Sequence, residues 1–236
     1  MEPNRKSNDP SADAAAALYR GESGRVYHEV KRDLDPGALL WVMALRARKF
    51  QPYVQLSDVV FELGVGAGWN LGMLRCARRI GCDAATFLSP KLTALGIEFV
   101  SDLKSVPDGL ANVVICHQTL EHLLDPAETL RQLRRVLKQN GLLILHVPWE
   151  RERRYAHYRA DEPNHHLFNW NAQNLVNLVS VVGYKIESVG IRKYGYDRFA
   201  ANLAFRYRLG ERGFRVLRAC LIALRPFREV ELLARP

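Results

Sequence analysis

Long apolar runs are missing from this sequence, and with them any ready membrane anchor. No stretch of its 236 residues approaches the ~20 apolar positions that a membrane helix needs. The longest, around GLLILHVPW, has the length of a buried strand. The first residues, MEPNRKSNDPSADAAAALYRG, lack the basic start and apolar core of a secretory leader. Cysteine is scarce: Cys76, Cys82, Cys116 and Cys220 show no CxxC or zinc-ligand spacing. That argues against a disulfide framework and a structural zinc centre, and the expectation is a reduced, cytoplasmic protein. There is no internal repeat, and no low-complexity tract beyond a short alanine run.

What is present is the composition of a chain that buries a real core, 48% hydrophobic and 25% charged. The net charge of +9 is uneven, because residues 192–236 hold 11 Lys or Arg against 4 Asp or Glu. Such a segment suits an acidic partner, namely RNA, an anionic surface or a phosphorylated substrate. Arginines at 208, 212, 215 and 218 also recur near helical spacing, as a solvated helix face would place them.

Residues 1–25 are polar and Ala-rich without a sustained period, and read as a loosely attached segment. A helix is expected from Pro36 to Lys49, where ALLWVMALRARKF repeats apolar residues at i, i+3 and i+4. Strands and helices then alternate. DVVFEL, RRIGCD, IEFV, ANVVICH and LLILHVP read as short buried strands. WNLGMLRCA, AATFLSPKLTALG and DPAETLRQLRRVLKQNG read as helices, the last with Pro126 in its first turn and bases late. After the polar stretch WERERRYAHYRADEPNHHLFNW, a helix (NAQNLVNLVSVVG) and a strand (YKIESVGI) resume the pattern, and REVELLARP reads as a final edge strand. The amphipathic FRVLRACLIALRPF is expected to pack on the sheet. This rhythm, with near-continuous apolar strands, predicts a doubly wound, mostly parallel α/β sheet with helices on both faces.

In such a sheet the ligand sits at the turn after the first strand. Here that turn follows Glu62 and runs through Gly64, Gly66 and Gly68, at every second position. The dinucleotide fingerprint G-x-G-x-x-G would need its third glycine at Trp69. An acid two places before G-x-G-x-G instead resembles motif I of the class I S-adenosylmethionine-dependent methyltransferases. Asp83 lies 19 residues beyond Gly64, near the spacing at which an adenosine ligand wants a carboxylate for its ribose hydroxyls. Singly, each aspartate also suits a cap or a turn.

The stretch DGLANVVICHQTLEHLLDPAETLRQLRRVLKQNGLLILHVP is similar to the strand-four to strand-five segment of the small-molecule branch of that family. Asn112 departs from the aspartate usual there, and Gln139-Asn140 from the usual Pro-Gly. The resemblance covers residues 58–148 well and 170–190 fairly. It implies a seven-stranded Rossmann-like methyltransferase domain over residues 26–236, with S-adenosylmethionine as cofactor and S-adenosylhomocysteine as product. It implies a cofactor site of Glu62, Gly64, Gly66, Gly68, Asn70, Asp83, Asp102, Leu103 and His117, with Asp102 and Leu103 at the adenine and His117 and Gln118 at the methionine end. His122 is expected to cap or pack the following turn.

The acceptor side in this fold is built from the N-terminal segment and the insert after strand five, here residues 149–170. That insert gathers Tyr155, His157, Tyr158, His165, His166, Phe168 and Trp170. Aromatic faces with polar tips suit a sugar or an aromatic ring. His165 and His166 are the candidates for a general base or a hydrogen-bond partner to the acceptor, with Tyr155, His157, Tyr158 and Trp170 as substrate-binding residues. Equally, the two histidines serve to fix the loop or cap the helix at Asn171. No metal site is expected, because no carboxylate or cysteine accompanies these histidines at ligand spacing. Tyr27 and His28 are placed to close over the cofactor. Methylation of a hydroxyl on a small-molecule or glycan-like acceptor is the leading expectation. RNA methylation through the basic segment and a non-catalytic binding subunit are the alternatives. The oligomeric state is left open.

Overall fold

The computed structural model describes residues 17, 19–29, 33–149, 157–158 and 164–236. Seven strands form one sheet in the order β3-β2-β1-β4-β5-β7-β6. They are β1 (Val59–Leu63), β2 (Arg78–Cys82), β3 (Glu98–Val100), β4 (Ala111–His117), β5 (Leu137–Pro148), β6 (Lys185–Tyr194) and β7 (Phe227–Arg235). The first five are parallel neighbours, and β7 runs antiparallel to both β5 and β6. The expected mostly parallel, doubly wound sheet is what forms. Both faces of its middle strands are covered, which is why those strands are apolar without alternation.

The helices are α1 (Gly21–Glu29), α2 (Leu39–Phe50), α3 (Ser89–Ala94), α4 (Pro126–Val136), α5 (Ala172–Val181), α6 (Asp197–Arg206) and α7 (Gly210–Leu224). The start of α4 is fixed by Asp125, whose carboxylate accepts from the Glu128 N–H at 2.8 Å, and by Pro126 at the first helical position. One sheet face packs Phe61, Leu63, Val114 and Leu145 with Leu130 and Leu133 of α4 and Leu175 and Val179 of α5. The other packs Val60, Ile115 and Ile144 with Phe50 of α2 and Leu92 of α3. Among the described residues, no helix is long and apolar enough to cross a membrane.

Four expectations change. The segment WNLGMLRCA is not a helix: residues 64–77 form successive turns. Four glycines within nine residues, 64 to 72, leave too little helix propensity there. The last strand is not an edge. β7 is paired on both sides, with Val230, Leu232 and Ala234 fully buried, and the half-exposed β6 takes the edge. The amphipathic α7 packs on helices rather than on the sheet, its Phe214 joining Val42 of α2 and Ala201 and Ala204 of α6. Finally, the helix expected over DPAETLRQLRRVLKQNG stops at Val136, and residues 137–140 already belong to β5.

Candidate active site

Sheet register builds one wall of the site. Leu63 at the end of β1 stands opposite Cys82 of β2 and Cys116 of β4. The next residues on each strand, Gly64, Asp83 and His117, therefore emerge in a row at one edge of the sheet. The chain reverses direction across the sheet between β1 and β4, so this row lies at the switch point where doubly wound sheets bind ligands.

The glycine turn is shaped by necessity at two positions. Gly64 has φ +72°, and a Cβ there would lie 2.1 Å from the Thr119 hydroxyl oxygen. Gly68 has φ +76°, and a Cβ there would meet Leu92 and Ile97 at 2.8 Å. A side chain is excluded at both by conformation and by space. Asp83 clamps the turn to the neighbouring strand end, accepting from the Gly66 N–H at 2.7 Å and from the Ala85 N–H at 2.9 Å. A carboxylate has about four acceptor positions, so two remain for ligand hydroxyls.

Glu62 is fully buried behind the turn, and its Oε1 accepts from the Asn70 amide. Asn70 lines the cleft, and its Oδ1 accepts from Arg46 at 3.4 Å. The Glu62 carboxylate thus acts on the cleft through Asn70. Asp102 is exposed after β3, where its side chain accepts from the Lys104 N–H at 2.9 Å, and Leu103 packs half-buried against the core. Neither residue lines the cleft. His28 meets Phe87 edge to face at 5.8 Å, which lays α1 over the turn that follows Asp83.

The cleft has a volume of about 910 Å³ and is walled by Gly64, Asn70 and His117 on one side and by Glu121, His122 and His166 on another. That is at the upper end of the range for small-molecule sites. The histidine-rich insert reaches it unevenly. His166 lines the cleft, whereas His165 is exposed with φ +52° and contributes its carbonyl oxygen, 3.4 Å from His122 Nδ1. The candidates for a base therefore separate, and His166 is the one that faces the ligand space. Tyr158 is 92% exposed and His157 is also exposed, both away from the cleft lining. Trp170 is buried in the core, stacked on Phe168 at 5.8 Å, because the strand-like pairing of Trp149 with Trp170 pulls it inward. It is a packing residue, against expectation. Tyr155 lies outside the described residues. The cap of α5 is Asn171 itself, in a reciprocal pair with Asn174, so neither histidine caps it. His122, expected to cap or pack the following turn, lines the cleft.

Beneath His117 lies a buried polar cluster. Lys49 Nζ stands 3.0 Å from His117 Nε2 and 2.5 Å from Glu229 Oε1. Gln118 donates to Glu229 Oε2 at 3.1 Å, and His146 Nδ1 lies 3.2 Å from Glu229 Oε1. Burial opposes charge on Glu229, but the His146 hydrogen bond and the Lys49 charge prevail and hold its carboxyl at about 2. Burial lowers Lys49 and His146, each opposed by Glu229. Gln118 takes φ +54°, which turns its side chain down into this cluster. None of Lys49, His146 and Glu229 was singled out from the sequence, although an ionisable residue within each apolar strand run, LLILHVP and REVELLA, was a signal.

A family model described as a methyltransferase domain matches residues 37–189, about two thirds of the chain. The chain belongs to that family, within the class I S-adenosylmethionine-dependent methyltransferases. Over 108 residues it is 32% identical to an uncharacterized 37.1 kDa protein in a transposon of Streptomyces fradiae; the match takes in 39% of this chain and 31% of that relative's length. Among solved structures, it is similar to a Burkholderia thailandensis 1,6-didemethyltoxoflavin-N1-methyltransferase with bound 1,6-didemethyltoxoflavin and S-adenosylhomocysteine. That likeness has a TM-score of 0.61 at 12% identity and covers 100% of this chain and 92% of the other. It is also similar to the putative methyltransferase complexed with the Trm112 activator of Haloferax volcanii, with a TM-score of 0.60 at 17% identity over 94% and 96% of the two chains. At such identities these structures establish the methyltransferase fold and nothing finer.

Proposed function

We propose that this protein methylates a hydroxyl of a small-molecule or glycan-like acceptor, with S-adenosylmethionine as donor. The observation that carries this reading is the row of Gly64, Asp83 and His117 at the switch point, of which Gly64 and His117 line a cleft of small-molecule size. The residues present suit the donor: Gly64 lines the cleft without a side chain, and Asp83 keeps acceptor capacity beside the Gly66 N–H. Gly64, Gly66 and Gly68 would receive the amino-acid end, with Asn70, held by Glu62, ordering it. Asp83 would accept from the ribose hydroxyls, and Asp102 with Leu103 would border the adenine. When bound, the donor supplies a methyl group on a sulfonium, ready for in-line displacement. The protein then has only to align the acceptor and keep water away. His166 lines that space, as Asn164 of the insert also does, and is the histidine placed to order an acceptor hydroxyl.

The RNA reading gains little from the basic segment. Arg192, Arg215, Arg218 and Arg235, four of its eleven bases, are paired with Glu231, Glu211, Asp197 and Glu187.

Calorimetric titration with S-adenosylhomocysteine, with NAD as control, tests the proposal. Micromolar binding of S-adenosylhomocysteine alone is expected, weakened at least tenfold by Asp83→Ala, about 1.4 kcal/mol. Absence of binding by the folded protein would remove the enzymatic reading in favour of a non-catalytic subunit.

A further inference from the structure

Glu121, His122 and His166 come together in the cleft lining, with one ligand atom of each lying within 4.8 Å of the others. Two belong to the short 3-10 turn Leu120–His122 after β4, and the third comes from the insert. The Glu121 carbonyl joins the two segments by accepting from the Leu167 N–H at 2.8 Å and the Phe168 N–H at 3.3 Å.

The ring orientations are those of ligands rather than of a packed aromatic pair alone. His122 Nε2 is turned to Glu121 Oε1 at 3.8 Å. On the far side of the same ring, Nδ1 is 2.9 Å from the Tyr19 hydroxyl and 3.4 Å from the His165 carbonyl oxygen. Metal-bound histidines are commonly held this way, by an outer partner on one nitrogen that fixes the tautomer and aims the other. The His166 ring meets His122 edge to face at 4.9 Å. Glu121 is only 1% exposed, so its charge is confined beside the two imidazoles. Ligand atoms about 2.0–2.2 Å from a common ion stand roughly 3–3.5 Å from one another. Small side-chain rotations therefore suffice to close this group on a cation.

We propose that Glu121, His122 and His166 bind one divalent first-row transition cation, whose remaining coordination positions face the cleft and take the acceptor oxygen. Two imidazoles and one carboxylate suit zinc, manganese, iron, cobalt or nickel better than magnesium or calcium, which prefer oxygen donors. A hydroxyl on such a cation ionises far more readily: its proton leaves to solvent and the electron pair stays on oxygen. The acceptor role of the cation rests on the methyl-transfer reading above; the binding of the cation does not. The insert's histidines are read alone as lacking a carboxylate partner, and the fold supplies that partner from the β4 turn.

The test uses the full, tag-free chain and cobalt(II) alone, followed by visible absorption and calorimetry, with magnesium(II) as control. One cobalt per chain, saturable at micromolar concentration, is expected, and magnesium should bind at least tenfold more weakly. His166→Asn and Glu121→Gln should each weaken cobalt at least tenfold. His166→Asn, at a half-buried position, should leave the thermal unfolding midpoint of the metal-free protein unchanged, which separates loss of a ligand from loss of fold. S-adenosylhomocysteine affinity, measured in parallel, should change less than twofold in His166→Asn. No saturable cobalt binding, or binding undiminished in His166→Asn, overturns the inference while leaving S-adenosylhomocysteine binding to judge the donor site. Cobalt bound as expected without S-adenosylhomocysteine binding upholds the metal site and overturns its role at an acceptor.

Discussion

Gly64, Asp83 and His117 sit at the tips of three adjacent parallel strands, whereas His122 and His165 are joined by a hydrogen bond across 43 residues of chain. The first wall inherits its geometry from the sheet ladder, and its residues are locked in register before any ligand arrives. The second is assembled from a short turn, an insert and Tyr19, and depends on a few loop-to-loop hydrogen bonds. Under the proposed function, the donor would be served by a wall that the fold fixes, and the acceptor by a wall that loops can rebuild without disturbing the sheet. Between them, Lys49, His146 and Glu229 tie the floor under His117 to β7, the strand that enters the sheet last.

That floor is where the comparison is broken most severely. Lys49→Met removes the cation from a Glu229 carboxylate that is 1% exposed. Breaking one partner of a buried pair costs about 3–5 kcal/mol. Chemical denaturation should show that loss, and a change below about 1 kcal/mol would mean that His146 and Gln118 satisfy Glu229 without the lysine.

A smaller effect is expected with acid. Glu229 is held at about 2, below the ordinary 4.5, so its contribution to stability is full above 4.5 and is lost as pH falls toward 2. The thermal midpoint should drop over that window, and Glu229→Gln should start lower at pH 6 and fall less steeply. Parallel curves for the two proteins would show that other carboxylates govern the acid limb.

The sequence made the first wall legible for a physical reason. A glycine turn, an apolar strand and a carboxylate at fixed spacing are all local signals, and the parallel ladder carries them into space without alteration. Its errors came where non-local competition decides. The segment after Gly68 reads as a helix entered through the glycines, yet Gly64, Gly66 and Gly68 take positive φ and residues 64–77 run in turns. REVELLARP was expected at an edge, but Val230, Leu232 and Ala234 are buried between β5 and β6. Trp170 looked like a ligand-facing aromatic, and the core claimed it. Glu121 was visible in the LEH stretch, but nothing local foretold that Leu167 and Phe168 would pair with its carbonyl and bring His166 alongside. His146 and Glu229 could have been suspected as ionisable residues inside apolar strands, which need buried partners.

The central claim is that the donor binds on the sheet-built wall. Amide hydrogen exchange measured with and without S-adenosylhomocysteine tests it most directly. New protection concentrated at residues 64–70 and 83–85, with lesser change over 164–168, is the result this account predicts. Protection confined to the acceptor wall or to residues 194–202, with the glycine turn unchanged, would contradict it.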